Sequence, residues 1–420
     1  MITISKQKEF SQKSTSYQSE YDVIVAGGGP AGIAAAIASA RLGASTLLME
    51  RYGFLGGMGT AGLVNPFMNY YAGEKQLVKG IFQEVIERLK ETGSYGGSGH
   101  RFSFEPEELK FVLNEMAVES GVHLLFHSFA ADCICQDGVL QGVASESKSG
   151  RRIYKAGVYI DCTGDGDLVA KSGAIFEKGR ESDGHCQPAT LMFMLGGVKV
   201  EENSVEFPVA EEYDLPQGRV LFFKMPRQGM VSVNMTRIIQ LDATDVDALS
   251  KAEVEARRQV KRVVDYLKKH CEGFEDCYLV QTAAQTGIRE SRRILGRYQL
   301  TAEDVLTCRK FEDAIARCSY VIDIHNPTGK GTVIRKLPVG DWYEIPYGCL
   351  MPKDRKNLLV AGRCISSTHE AHSSLRIQPT CYALGQAAGT AAALAVRKGI
   401  LPGDLNYHEL VQSLHDQDAL

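Results

Sequence analysis

The spacing of apolar positions switches several times along this chain, and each switch predicts an element. Tyr21-Asp22-Val23-Ile24-Val25-Ala26 is a short β-branched run, followed by Gly27-Gly28-Gly29-Pro30-Ala31-Gly32, an alanine-rich segment to Arg41, and a second apolar run that ends at Glu50. That order predicts strand, glycine turn, helix and second strand. Leu77, Ile81, Val85 and Leu89 lie four apart and predict a helix over 77–92. Pro106 suits the first turn of a helix over 105–120, with a strand over 122–130 after it. Turn pairs at Asp137-Gly138 and Ser149-Gly150 lead to a strand at 157–160. From about 187 the pattern becomes β-rich, with runs at 190–195, 220–224 and 230–235, a charged helix over 246–270, and a stretch over 281–296 read as helical. The strand-then-glycine pattern returns at 358–362, before a helix over 380–397. The fold class is therefore α/β: a discontinuous Rossmann-like dinucleotide domain, 20–185 with 340–420, an inserted α+β substrate or cap domain over 186–339, and a lead-in over 1–19.

The glycine turn carries chemistry. Gly27 suits a tight exit from the strand, Gly29 lets backbone approach a pyrophosphate, and Gly32 lets the helix pack closely on the sheet. A helix opening at Pro30 or Ala31 aims unsatisfied N–H groups and its positive end at an anion. Glu50, twenty-one residues beyond Gly29, can accept both hydroxyls of an adenosine ribose and disfavours a 2′-phosphate. Because the motif follows a strand and opens a helix, a dinucleotide site outweighs a merely structural turn. A second glycine-rich loop over 53–59 offers close backbone contact to a flat ligand; the alternative is an ordinary flexible loop.

Composition narrows the function. A formal net charge of −4 gives no basic face for nucleic acid, so no nucleic-acid partner is expected. The alanine-rich stretch 31–40 is too short for a membrane span, and the first twenty residues lack the apolar core of a signal peptide, so a cytoplasmic location is expected. Eleven cysteines occur without a CxxC pair or a four-cysteine cluster, and Cys162, Cys349, Cys364 and Cys381 sit in apolar surroundings. A dithiol relay, an iron–sulfur cluster and a structural metal are not expected.

Six stretches belong together: Tyr21 to Val25 with its glycine turn, Glu50 to Met58, Asp161-Cys162-Thr163-Gly164-Asp165-Gly166-Asp167, Ile288-Arg289-Glu290-Ser291-Arg292-Arg293-Ile294, Ile345-Pro346-Tyr347, and Leu358 to Gly389. With them the chain resembles the FAD-dependent oxidoreductase family, flavoproteins with a glutathione-reductase-type FAD domain related to fumarate reductases and thiazole synthases. The resemblance implies FAD, which spacing alone does not separate from NAD. It implies Gly27, Gly29 and Gly32, with Pro30 and Ala31, at the pyrophosphate and Glu50 at the ribose. Arg51, Gly57 and Met58 would follow along the extended cofactor, with Ala130 a further contact, Thr163-Gly164-Asp165 beneath its middle and Gly362-Arg363 near the ribitol. Many relatives end the last strand in Gly-Asp, so the arginine at 363 is a departure that shifts weight to the Gly362 backbone. The last helix, which contains Gly385, would aim its N-terminus at the flavin; Gly385 and Gly389 serving close helix packing is an equal alternative.

A flavin performs the hard chemistry, leaving the protein to position a substrate and exchange a proton. His369, His372 and Arg376 fall between the last strand and last helix, and Arg289 and Arg293, four apart, come from the insertion. Imidazoles suit acid–base work and guanidiniums suit a carboxylate, so these are the catalytic candidates, with His325 and His185 behind them. Loop hydrogen bonding and solvated salt bridging are the bland alternatives. The expected function is hydride transfer between flavin N5 and a small polar substrate, anionic or hydroxylated, with an unnamed electron donor or acceptor. No second GxGxxG supports a dedicated NAD(P)H domain. The other class is a non-enzymatic dinucleotide-fold module that binds a protein or lipid.

Overall fold

The structure, a computed structural model, describes residues 17–98, 101–202 and 204–420. The expected lead-in thus falls mostly outside the described residues, and Tyr17 already opens the first strand, Tyr17–Ala26. Five parallel strands form the central sheet in the order His123–Leu125, Thr46–Met49, Tyr17–Ala26, Gly150–Asp161, Leu358–Val360. Val23, Ile24 and Val25 are fully buried, as expected of a central strand covered on both faces. The long strand Gly150–Asp161 also carries an antiparallel ribbon, Val139–Ser147 and Phe129–Gln136, on its N-terminal half. The strand expected over 122–130 is broken, because His127 takes a left-handed φ of 52° between Leu125 and Phe129.

The helix Pro30–Arg41 and the last helix, Gln378–Lys398, cross in direct backbone contact. A Cβ on Gly385 would stand 2.0 Å from the Ala31 carbonyl oxygen, and one on Gly389 2.1 Å from that of Ala35. Gly32 plays the same part against the sheet, since its Cβ would meet the Gly27 carbonyl oxygen at 1.7 Å. Ala31, Ala34, Ala35, Ala36 and Ala38 of the first helix are buried.

A second antiparallel sheet, ordered Ser204–Pro208, Arg219–Lys224, Val231–Val233, Phe193–Gly196, Tyr278–Thr282, is backed by the helix Val246–His270. Its hydrophobic core draws on Leu63 and residues between Leu191 and Ala283. Residues from Ile294 to Ile345 pack instead into the core of the parallel sheet, against an expected insertion reaching 339. The stretch 281–296 is not a helix. Arg292–Ile294 pairs as a strand with Phe176–Lys178, and Gly287 bridges to Thr190. Arg289 and Arg293 therefore share no helical face.

Candidate functional site

One cavity of about 830 Å³ runs from the glycine turn, along the C-terminal ends of the parallel strands, to the face of the antiparallel sheet. A crevice outside the carboxyl ends of parallel strands is where open α/β sheets bind ligands, and this volume is at the upper end for such sites. At one end lie Gly27, Gly29, Pro30, Ala31, Glu50, Arg51, Gly57 and Met58. Gly29 caps the helix with no side-chain bond and no acid follows in the first turn, so the helix N–H groups face the cavity uncompensated. A Cβ on Gly29 would meet nothing nearer than Gly57 Cα at 3.8 Å, so the space over this residue is open. The second glycine loop packs on the first: a Cβ on Gly57 would come within 2.7 Å of Gly29 Cα.

Glu50 is buried, and both its oxygens already accept backbone N–H groups, Oε2 from Gly28 at 2.6 Å and Oε1 from Tyr52 at 2.9 Å. Each oxygen keeps a further lone pair. Arg51 and Tyr52 both donate to Gln285, which also lines the cavity.

Midway, Thr163, Gly164, Asp165, Gly362 and Arg363 line the wall. Fully buried Asp161 ends its strand and organises this turn, accepting from Thr163 Oγ1 at 2.7 Å and from the Val169 N–H at 3.0 Å. Arg363 Nη2 meets Asp165 Oδ1 at 2.8 Å, so the arginine at 363 is matched by an acid from the neighbouring strand end.

At the far end stand Arg289, Arg376, Asp323, His325 and Tyr320. Arg289 Nη1 donates to the Pro188 carbonyl and Thr190 Oγ1, each at 2.6 Å. Burial, and then the charge of Arg376, pulls its pKa down to about 9, which leaves it cationic at neutral pH. Arg376 Nη2 lies 3.9 Å from Asp323 Oδ2, and its Nε has no partner among the described residues. The Tyr320 hydroxyl donates to Asp323 Oδ2 at 3.1 Å, and His325 Nε2 is 3.6 Å from the same oxygen. Burial opposes ionisation of Asp323, but hydrogen bonding with His325 and the charges of His325, Arg376 and Arg289 outweigh it and hold the carboxyl well below its usual range. Burial and Arg289 push His325 down to about 3, so it is a neutral imidazole.

A family model described as FAD dependent oxidoreductase matches residues 22–414. The chain belongs to the FAD dependent oxidoreductase family. It is 28% identical over 215 residues to digeranylgeranylglycerophospholipid reductase 2 of Methanothermobacter thermautotrophicus, covering 49% of this chain and 54% of that protein. It is 33% identical over 142 residues to a thiamine thiazole synthase of Methanococcus vannielii, covering 34% and 51%. The chain thus spans about half the length of the curated relatives it matches. Among solved structures it is similar to the flavin-dependent brominase Bmp2, at a TM-score of 0.52 and 12% identity over 95% of this chain and 83% of that one, a likeness of fold. Membership of this family supports FAD as the cofactor and favours an enzyme over the non-enzymatic module.

The cavity fits FAD. It offers an open glycine cradle at a helix N-terminus, an acid at the end of the second strand, and buried polar atoms without partners among the described residues at Asn65, Thr286 and Gln378. FAD supplies a two-electron carrier when bound.

Several expected site residues lie elsewhere. Gly385 does not line the cavity, because the backbone of Ala31 occupies its face; it is a packing glycine, as is Gly32. Ala130 sits in the antiparallel ribbon opposite Ser145, outside the cavity wall. His369 and His372 are corrected as acid–base candidates. The segment after the last strand forms its own helix, His369–Leu375, N-capped by Thr368, and that helix turns both rings into the interior. His369 Nδ1 lies 2.9 Å from Glu290 Oε1, and Glu290 is also paired with Arg293. His372 is fully buried; burial and the neighbouring charges of Arg293, Arg376 and Arg363 drive its pKa well below the usual range. Asp323 and Tyr320 were not singled out from sequence, and His325 was placed behind the others. The missed signal is strand alternation in Ile322–His325, which puts 323 and 325 on one face.

Proposed function

We propose that this enzyme passes a hydride between FAD and a small polar substrate carrying a carboxylate, with Arg289 and Arg376 binding that group. One observation carries the reading: a buried guanidinium, Arg289, and a partly buried one, Arg376, line the same cavity, and Asp323 lies by Arg376. Two arginines confined in a low-dielectric wall favour an anion, and each can hold a carboxylate through parallel hydrogen bonds. Proton exchange is assigned to the Tyr320–Asp323–His325 group. Asp323 is ionised, so the mobile proton resides on the tyrosine hydroxyl or the imidazole. We take the substrate layer to be the antiparallel sheet and its helix, 191–283, with 292–345 part of the FAD-binding body.

The test is a titration of the FAD-loaded protein with short monocarboxylates, read by flavin absorbance. Arg376→Gln should raise the dissociation constant about tenfold, the scale of one charge-assisted hydrogen bond. Unchanged binding in that variant would remove the arginines from the substrate site.

A further inference from the structure

Among the described residues that line the cavity, four uncharged side chains leave a buried polar atom without a hydrogen-bond partner: Asn65, Asn234, Thr286 and Gln378. Asn65, Thr286 and Gln378 belong to the fit with FAD, while Asn234 directly follows the strand Val231–Val233 of the antiparallel sheet. Sheet register fixes its surroundings. Val220, Phe222, Val231 and Val233 point into that layer's own core, so the alternate residues Leu221, Phe223 and Asn234 face the cavity. Asn234 donates its backbone N–H to the Leu221 carbonyl at 3.0 Å, and the pairing of Phe193 with Val233 puts Met192 on its other side. The amide thus stands between two apolar side chains of the cavity wall, and its Oδ1 is unanswered. An acceptor buried in this way costs stability unless a ligand supplies the donor. Thr190, two residues before Met192 and also in the wall, accepts from Arg289 Nη1 at 2.6 Å. Two residues of extended chain put the amide roughly 7 Å from that contact.

We propose that Asn234 is a specificity-determining residue, whose amide binds a hydroxyl of the substrate, several carbons away from the carboxylate. This rests on the carboxylate reading above and deepens it by naming a second group of the substrate and the residue that selects it. A hydroxyl both donates and accepts, so it answers either orientation of the amide. Leu221 and Met192 on the two sides suit the carbon chain that carries it. Ser232 provides a control: it is paired with Phe223 one row away and its hydroxyl also lacks a partner among the described residues, but it lies outside the cavity wall.

The experiment titrates the FAD-loaded protein with ω-hydroxycarboxylates of four to six carbons and with the alkyl carboxylates in which a methyl replaces the hydroxyl, read by flavin absorbance. Guanidinium unfolding of the same proteins is measured in parallel. A hydroxy acid of the right length should bind about tenfold tighter than its methyl analogue. Asn234→Leu should erase that preference, by tightening the methyl analogue as well as weakening the hydroxy acid, and should raise the unfolding midpoint. Damage to the fold would produce neither gain. Ser232→Ala should keep the preference, and its loss there would overturn the assignment to Asn234. A lower midpoint in Asn234→Leu also overturns it, because the amide is then held by the fold. Equal binding of hydroxy acid and methyl analogue by the parent overturns this inference and leaves the arginine clamp standing. Absence of any flavin perturbation across the whole panel overturns both.

Discussion

Gly385→Ala isolates the contact that holds the nucleotide helix in place. The added methyl would stand 2.0 Å from the Ala31 carbonyl oxygen and 2.7 Å from its carbon, whereas ordinary contact begins at 3.4 Å. The obstruction is backbone, so no rotamer relieves it, and the helices Pro30–Arg41 and Gln378–Lys398 must part by roughly 1.4 Å at this crossing. Overpacking of this kind costs about 1–3 kcal/mol, and separation along two alanine-rich faces puts the expectation near 3. Gly389→Ala meets Ala35 in the same way at 2.1 Å and should cost the same. One rigid displacement accommodates both methyls, so the double variant should also cost about 3 kcal/mol rather than the sum. Guanidinium unfolding followed by the single tryptophan, Trp342, gives the three values. Because Pro30 and Ala31 line the cavity, FAD affinity should fall in parallel. Full additivity in the double variant would refute the rigid-shift argument. A single-variant cost under about 0.5 kcal/mol would refute the close-contact argument itself.

Gly29→Val places its side chain in open cavity space, so purified protein should lose FAD while apo stability changes by less than about 0.5 kcal/mol, read by flavin content and unfolding midpoint. Glu290→Gln strips the buried partner from Arg293 and His369, leaves the guanidinium only the exposed Glu177 carboxylate at 3.9 Å, and should cost about 3 kcal/mol in the same unfolding assay. His325 is buried neutral with a pKa of about 3, below its unfolded value of 6.5, so unfolding takes up a proton between those pH values and its stabilising contribution is lost as pH falls through that window. His325→Asn should lessen the parent's loss between pH 7 and pH 5 by about 2 kcal/mol; measured as a difference from the parent, this is free of Asp167, whose carboxyl burial pushes up to about 6.

The fold was legible where a local rule ties residue type to geometry. The strand, glycine turn and acid of residues 21–50 are read correctly because each glycine has a local reason: Gly27 takes φ 94° against the Cys162 backbone, Gly29 leaves its space open, and Gly32 admits the Gly27 carbonyl oxygen. The helix Val246–His270 has the predicted bounds because its Asp245 cap and its amphipathic spacing are local signals. Tertiary partners decided the rest. The stretch 281–296 carries charges at helical intervals, yet Thr190 and the strand Phe176–Lys178 recruit its backbone into bridges. Gly385 carried two readings, ligand contact and helix contact, and the distance to Ala31 selects the second.

The segment Ile288 to Ile294 shows why candidate catalytic residues could not be ranked from spacing. It runs extended between cavity and core, and adjacent side chains serve opposite sides. Arg289 faces the cavity, while Glu290 and Arg293 turn inward and bind Gln187, Gly179 and Ser367. Ser291 and Arg292 reach the turn after the strand Gly150–Asp161, through Asp165 and Asp167. A buried ion pair such as Glu290–Arg293, with His369 Nδ1 against the same carboxylate, adds little net stability over an apolar core, but it admits few alternative pairings. It ties the loop at Gly179, the backbone at Gln187 and the last-strand exit at Ser367 to one seven-residue segment. That same segment presents Arg289 at one end and grips the Asp165 turn with its next residues. The proposed substrate clamp and the proposed cofactor turn are therefore held by a single stretch of chain, and the two histidines expected to do chemistry sit in the helix that braces it.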